Sequence, residues 1–483
     1  MNKPRTPQAG QHRAPVRAAA PRPAAAPAPI SPARAAAFHI LSRVSKSAAH
    51  SDDLLHSVAV NALSPEDRNL TTTLVLGVLR WQLYLDTLLR PLMQRPDADL
   101  HPSSLIALRL GLFQLLYLDR IPAHAALNES VELSRANGAP HAAGMVNAVL
   151  RRALREKTAE PQRKPLVIPQ TPAEQAHPQW LITRWRKNFG TAVTRRIADY
   201  DQAEPSPNTL FAETEGMPAI DDGSRLVAEL AAASVTAPKR ILDCCAAPGG
   251  KTAVLALRHP FAEIIAADVN EKRLETLRSR LDRDPATAHV KTVLADLTKP
   301  MGGSAASLKV AAPTSKKIIV VGVKPSEKGL AEQTAEPEIP LNPAIVGKFD
   351  LILCDAPCSG TGTLGRNPEI RHRLRESDLA RQADRQRAIL TQALALLAPG
   401  GRLVYSTCSL EPEENEGIVQ QVLAVTPGIA KIPAETILSE VTSLTATEQS
   451  QLAANAIHEG ALRTLPGATP TDGFYAVILE RVP

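Results

Sequence analysis

Leu74, Val78, Trp81, Leu85 and Leu88 recur at steps of three and four, which puts them on one face of a helix. Leu105, Leu108, Leu112 and Leu115 do the same, and shorter stretches with this period surround Phe38, Leu41 and Val44, and Val146 and Leu150. Gly138 and Pro140 interrupt the pattern. Residues 34–155 therefore read as an all-helical domain. Residues 156–178 carry Pro161, Pro165, Pro169, Pro172 and Pro178 and read as a linker. A helical piece follows from Trp180 to Tyr200, with Arg184, Arg186, Lys187, Arg195 and Arg196 on it. Those cations fit either a solvated face or one that contacts phosphates.

From about residue 236 the pattern changes to short apolar strands separated by helices. The strands are expected at Arg240–Cys244, Glu263–Ala267, Lys291–Ala295, Phe349–Cys354 and Arg402–Ser406, with helices such as Glu271–Leu281 and Leu379–Leu397. This alternation predicts a doubly wound α/β sheet, whose ligands bind beyond the carboxyl ends of the strands. Two segments resist assignment. Residues 300–347, with an apolar run at Ile318–Val323, read as a surface insertion, and 432–462 fit no period. No apolar run reaches the roughly 18 residues that span a bilayer. The nearest approach, Leu105–Leu118, is interrupted by Arg109 and Gln114 and reads as a buried helix.

A length of 483 residues suits about three domains. The 44% hydrophobic fraction is enough for a sizeable core, and the 3% aromatic fraction leaves few platforms for stacked bases. The net charge of +6 equals the six bases of residues 1–34, where no acid occurs, so the remaining chain is balanced. A basic total is then no argument for a folded nucleic-acid surface. The Ala- and Pro-rich tail lacks the apolar core of a secretory signal and reads as disordered rather than as a transit peptide. Five cysteines, all in the second half, form an odd, clustered set. They read as cytosolic thiols, giving a cytoplasmic protein with no membrane attachment. No His pair at ligand spacing accompanies them, so no metal site is expected.

The first strand runs into Asp243-Cys244-Cys245-Ala246-Ala247-Pro248-Gly249-Gly250-Lys251-Thr252. A glycine-rich turn there lets a ligand approach the backbone, but it is neither GxGxxG nor a P-loop. Asp268 ends the second strand 19 residues after Gly249, a place that suits a ribose diol. Asp296 ends the third strand and can face an adenine amine; alternatively both acids cap the helices that follow. The fourth strand ends in Asp355-Ala356-Pro357-Cys358-Ser359-Gly360 and the fifth in Ser406-Thr407-Cys408-Ser409. One acid and two thiols thus share a sheet edge, whereas Cys354 and Cys244 read as small core residues.

The runs Cys245–Thr252, Asp355–Gly360 and Tyr405-Ser406-Thr407-Cys408-Ser409 resemble, in order and strand context, the signatures of RNA cytosine-C5 methyltransferases. So do Pro412-Glu413-Glu414-Asn415-Glu416 and Thr471-Asp472-Gly473-Phe474-Tyr475. The helical region resembles the RNA-binding domain of the NusB antitermination factor. The pairing is similar to the Sun/Fmu (RsmB) type, which methylates a cytosine of small-subunit ribosomal RNA. The fold so implied is an α/β Rossmann-like methyltransferase domain preceded by an all-α NusB-like domain.

The resemblance implies S-adenosylmethionine as cofactor, held by Cys245, Ala246, Ala247, Pro248, Gly249, Gly250 and Lys251, with Asp268 on the ribose and Asp296 near the adenine. It assigns covalent attack on C6 of cytosine to Cys408 and release of the product to Cys358. Asp355 would hold the N3/N4 edge and lie beside the methionyl part. Lys251 is a candidate for lowering a thiol pKa. The target base must be unpaired or flipped out. Beside this edge, Arg366, Arg371, Arg373 and Arg375 fit either RNA phosphates or salt bridges with Glu369, Glu376 and Asp378.

Two departures from the family stand out. Asn208–Pro238 is too short for the whole RNA-recognition-like subdomain that usually precedes the first methyltransferase strand, although Ile220-Asp221-Asp222-Gly223-Ser224 resembles its final part. The insertion at 300–347 is the second. The expected organisation is a basic tail at 1–33, a NusB-like domain at 34–155, a linker with a shortened recognition region at 156–235, and a methyltransferase domain at 236–483. The partner is RNA, with ribosomal RNA first, and the chain is expected to be a monomer. Methylation of transfer RNA and a non-catalytic role in assembly are the competing readings.

Overall fold

The computed structural model describes residues 29–47, 49–158, 170–205, 208–211, 216–299, 345–469 and 471–483. The N-terminal unit contains α1 (Pro32–Lys46), α2 (Ser51–Leu55), α3 (Val58–Asn61), α4 (Pro65–Leu89), α5 (Pro102–Tyr117), α6 (Ala123–Ala136) and α7 (Ala143–Thr158). Local sequence explains the boundary of α4. Pro65 occupies the first turn, the Ser64 side chain accepts from Asp67 N–H, and Glu66 and Asp67 face the positive helix end. Helix α5 is apolar on almost every side and lies in the middle of the bundle, with Leu108, Leu110 and Leu112 buried. The two polar residues that interrupt its apolar run are both partnered. Gln114 accepts from Arg34 Nε at 2.6 Å, and Arg109 forms a two-pronged pair with Asp86 at 2.8 and 2.6 Å. Among the described residues, no helix is long and apolar enough to cross a membrane.

Two connecting helices follow, α8 (Pro172–Gln175) and α9 (Gln179–Gln202). The single helical piece expected here is broken at Gly190, whose φ of 79° is left-handed. The cations of α9 are neither simply solvated nor set out for phosphates at the positions that matter most. Arg184 pairs with Glu411 at 2.8 Å and Glu413 at 2.5 Å, and Arg186 pairs with Glu174 at 2.7 Å. Arg184 thereby fastens the first half of α9 to the C-terminal unit.

The second unit contains α10 (Asp222–Ser234), β1 (Arg240–Asp243), α11 (Gly250–Arg258), β2 (Glu263–Asp268), α12 (Glu271–Leu281), β3 (Lys291–Leu294) and β4 (Phe349–Asp355). It continues with α13 (Ile370–Arg373), α14 (Glu376–Leu396), β5 (Leu397–Thr407), α15 (Glu416–Val425), β6 (Ile429–Ile432), α16 (Ala434–Leu438), α17 (Ala446–Ala456), β7 (Ile457–His458), β8 (Ala461–Arg463) and β9 (Tyr475–Arg481). The sheet order is β3-β2-β1-β4-β5-β9-β8-β7, and β6 also pairs with β9. Strands β1 to β5 run parallel, while β9 is antiparallel to β5.

Successive residues point to opposite faces, so Leu242, Ile352 and Leu403 pack under α14 and α15 while Ile241, Leu351 and Val404 pack under α10 and α11. The order reverses between β1 and β4, which places the ligand crevice at their carboxyl ends. The stretch 432–462 becomes two short helices and two very short strands. All but α17 are five residues or shorter, and α17 buries only Leu452 and Ala456, so no face is marked. Of the expected insertion, residues 300–344, including Ile318–Val323, lie outside the described residues.

The two units are locked together by the segment that follows Cys358. The buried Arg371 guanidinium donates to the carbonyls of Arg80, Ala176, Asp201 and Leu364 at 3.1, 3.3, 3.4 and 3.0 Å. Arg373 donates to the carbonyls of Val44 and Ala49, and His372 Nε2 to that of Leu79. Arg80 Nε returns a bond to Gly365 O. The expected basic cluster is thus corrected for Arg371 and Arg373. Their side chains hold the domain interface and are not displayed toward RNA.

Glu369 completes the lock, accepting from the backbone and hydroxyl of Ser51 at 3.1 and 2.8 Å and facing His50 Nδ1 at 3.4 Å. The bond to Glu369 raises the His50 pKa above its ordinary 6.5. Burial opposes ionisation of Glu369, but the bonds from His50 and Ser51 outweigh it and hold the carboxyl at about 2, below its ordinary 4.5. The histidine contribution is complete below 6.5 and fades as pH rises through its raised folded value. The carboxylate contribution is present above 4.5 and fades as pH falls toward 2. The thermal midpoint of His50→Gln should therefore lie below wild type at about pH 5.5 and meet it by about pH 9. A difference that grows with pH would contradict the pair.

Candidate active site

Strand β1 delivers the chain into a tight turn over Cys244–Gly249. Gly249 has φ 103° and N-caps α11, and a Cβ there would lie 2.5 Å from Leu277. Any other residue would be strained and would push into α12. Thr252 Oγ1 donates to Asp243 Oδ2 at 2.7 Å, while Asp243 Oδ1 has no partner among the described residues. Burial pushes the Asp243 carboxyl up to about 7.

The turn forms one wall of a cavity of about 600 Å³, a size that accommodates a nucleoside-sized ligand. Cys245 through Lys251, Asp243 and Asp355 line it, together with Asp221, Ser224, Arg366 and Asn367. Asp52 and Leu76 of the helical unit also reach it. The cavity suits S-adenosylmethionine. It combines carboxylates for a sulfonium and an ammonium with an orphaned buried carboxylate oxygen on Asp243.

Asp268 and Asp296 are not among the described residues that line this cavity. Asp268 is buried, and its carboxylate accepts from Asn270 N–H at 2.9 Å and from Ala247 N–H at 3.3 Å, so it braces the turn from behind. Asp296 accepts from the backbone and hydroxyl of Thr298 at 2.9 and 2.6 Å. Neither acid is a helix cap: Asn270 caps α12 through Arg273 N–H, and among the described residues no helix directly follows Asp296, so each acid braces the turn two residues ahead of it.

Asp355 stands at the end of β4 with both oxygens engaged, by Ser406 Oγ at 2.8 Å and by Lys251 Nζ at 2.7 Å. Burial works against the Lys251 ammonium, but Asp355 beside it outweighs that and holds its pKa above the ordinary lysine value. Lys251 is therefore a fixed cation. The thiols of Cys358 and Cys408 meet at 3.4 Å. Contact with Cys408, then burial, pushes the Cys358 thiol well above its ordinary value. Cys354 and Cys244 are buried in the sheet core.

The loops carrying the two cysteines touch backbone to backbone. Gly362 N–H donates to Cys408 O at 2.9 Å, and Gly473 N–H donates to Gly362 O at 2.8 Å. A Cβ on Gly362 would lie 2.1 Å from Gly473 O, so only glycine permits this approach. Asp472 pairs with Arg366 at 2.7 Å, which draws the segment Thr471–Tyr475 against the cavity mouth. Arg366, the first of the expected cluster in the chain, does line the cavity. The sequence reading found both cysteines but assigned no task to Glu414 and Asn415, whose side chains lie directly behind them.

The chain matches the NusB family over residues 31–155 and the family described as 16S rRNA methyltransferase RsmB/F over residues 233–326 and 330–480. It is 30% identical over 497 residues to the probable ribosomal RNA small subunit methyltransferase B of Synechocystis sp., covering 93% of this chain and 99% of that protein. It is 28% identical over 477 residues to ribosomal RNA small subunit methyltransferase B of Vibrio cholerae, covering 89% and 94%. The fold is similar to the crystal structure of PH0851, with a TM-score of 0.63 at 22% identity over 94% of this chain and 100% of that one.

Proposed function

The chain belongs to the RsmB/F family of 16S rRNA methyltransferases, S-adenosylmethionine-dependent enzymes acting on ribosomal RNA, and on that premise we propose that it methylates C5 of a cytosine through a covalent adduct on Cys408. The observation that carries this reading is the 3.4 Å contact between two thiols beside the Asp355–Lys251 pair, which itself lines the cavity that the glycine turn walls.

C5 of cytosine is a weak carbon nucleophile. Addition of the Cys408 sulfur to C6 moves an electron pair toward C5 and the N3 side of the ring. Asp355, fixed by Ser406 and paired with Lys251, accepts from the N4 amino group and so orients the N3/N4 edge, while the Lys251 ammonium offsets the charge that collects toward N3. S-adenosylmethionine supplies a methyl group from a sulfonium that leaves as a neutral thioether. Cys245 to Lys251 would hold it, with Asp268 steadying the turn through Ala247. Cys358 keeps its proton in the resting site because Cys408 and burial raise its pKa. Cys408 adds as the thiolate, its proton having passed to solvent; as the adduct collapses, Cys358 gives its proton to the departing Cys408 sulfur and takes the one leaving C5, and Cys408 releases the net proton to solvent before the next turnover.

Bisulfite sequencing of 16S ribosomal RNA from a deletion strain should show one protected cytosine lost and restored by the wild-type gene. Expression of Cys358→Ala should instead leave a protein–RNA complex that survives denaturing electrophoresis. Loss of protection in transfer RNA alone, or no trapped complex, would overturn the corresponding part of the reading.

A further inference from the structure

Behind the cysteines, the segment Pro412–Glu416 makes contacts that the methyl-transfer chemistry does not itself use. We propose that Glu414 and Asn415 are a positioning pair that sets the spacing between Cys358 and Cys408. Glu414 Oε1 accepts from Ser359 N–H at 2.8 Å and from Gln386 Nε2 at 3.1 Å. Its other oxygen binds the hydroxyls of both Ser359 and Ser409. Each serine directly follows one of the two cysteines, so one carboxylate grips both cysteine loops at equivalent places. The serine hydroxyls also lie 3.0 Å from each other.

Asn415 grips the Cys408 loop from both sides. Its Oδ1 accepts from Thr407 Oγ1 at 2.5 Å and its Nδ2 donates to Ser409 O at 2.8 Å. The clamp is itself anchored, because Tyr405 OH donates to Glu414 O at 2.6 Å. Glu414, Asn415, Ser359 and Ser409 are all buried, so water does not compete for these bonds. Burial raises the Glu414 pKa, and the serine bonds oppose it. A proton relay between two sulfurs tolerates little displacement, since about 1 Å of misplacement at a reacting centre costs on the order of 10²-fold.

The inference rests on the two-cysteine reading, and its test reads spacing without any RNA. Diamide oxidises the paired thiols to a disulfide, taking two protons and two electrons from Cys358 and Cys408 and becoming the hydrazine. In wild type, mass spectrometry of digests should find this bridge forming quickly. Glu414→Ala should slow it roughly tenfold or more, as the two loops separate. Glu414→Gln should restore most of the rate, because its carbonyl can stay with Ser359 N–H and its amide can donate to both hydroxyls. With RNA present, Glu414→Ala should also accumulate covalent complex, as a displaced Cys358 fails at release. If Glu414→Ala does not fold, the single hydroxyl deletion Ser359→Ala takes its place, with slowing again expected. A folded variant that forms the bridge at the wild-type rate overturns the proposal, as does one that lowers only the melting temperature. Methylation surviving in Cys408→Ala would sink the adduct chemistry and leave the crosslinking result standing.

Discussion

Cys408→Ala should lose methyl transfer by on the order of 10⁴-fold or more while retaining its melting temperature to within a few degrees. Without the sulfur there is no addition to C6, and C5 keeps its poor nucleophilicity. Neither Asp355 nor Lys251 replaces an electron pair delivered to the ring. The fold is spared because Cys408 is only partly buried and its backbone carbonyl, which accepts from Gly362, is unchanged. Cys408→Ser is informative for the same reason. It retains a small polar group beside Cys358 but offers a far weaker nucleophile, so it should be as inactive as alanine. The double variant Cys358→Ala/Cys408→Ala should match Cys408→Ala and trap nothing, because a release residue has no task where no adduct forms. Methyl transfer by Cys408→Ala within tenfold of wild type would end the covalent reading.

Arg371→Ala should cost about 3–5 kcal/mol of stability, because a buried carbonyl left without its donor costs about 1–3 kcal/mol and four are affected, with part recovered as the site relaxes. The truncation leaves four interior carbonyls without their shared donor and opens a cavity at the junction of α4, α8, α9 and the loop after Cys358. The guanidinium already sits at some disadvantage. Burial pushes its pKa down to about 10, and its Nε has no partner among the described residues. Its contribution is therefore to specify how the two units meet rather than to add a large net attraction. Urea unfolding should show this directly. Wild type should unfold in one step, and Arg371→Ala in two, as the units uncouple. A single transition with an unchanged midpoint would show that the junction holds without the guanidinium.

Both sites bear on what is legible in a single sequence. The strands are legible because a parallel sheet covered on both faces needs short, continuous apolar runs, as at Phe349–Cys354. The cysteines and Asp355 are legible because they end such strands within distinctive runs. Arg371 misleads because a charged residue among other charges reads as surface, and only the arrangement of four distant carbonyls makes it interior. Glu414 is similar. Its motif is recognisable, but its contact with Ser359 joins residues 55 positions apart, and nothing in either local pattern announces it. The elements between 429 and 463 are illegible for a plainer reason: most are five residues or shorter, and the longer α17 buries only Leu452 and Ala456, too few to mark a face.

The contacts that hold the helical unit to the loop after Cys358 end, for the most part, on main-chain oxygens: Val44, Ala49, Leu79, Arg80, Ala176 and Gly365. A carbonyl is the same whatever side chain accompanies it. Apart from Arg80, whose own side chain donates to Gly365, substitution on α1 and α4 is therefore tolerated along this seam so long as the helices keep their length. A one-residue insertion or deletion in either helix is not, because it rotates the receiving oxygens by about 100°. Drift in such a lineage should accumulate as exchanges of residues and be nearly barred as changes of helix length. A chimera carrying a foreign helical unit should succeed or fail on register, largely regardless of identity.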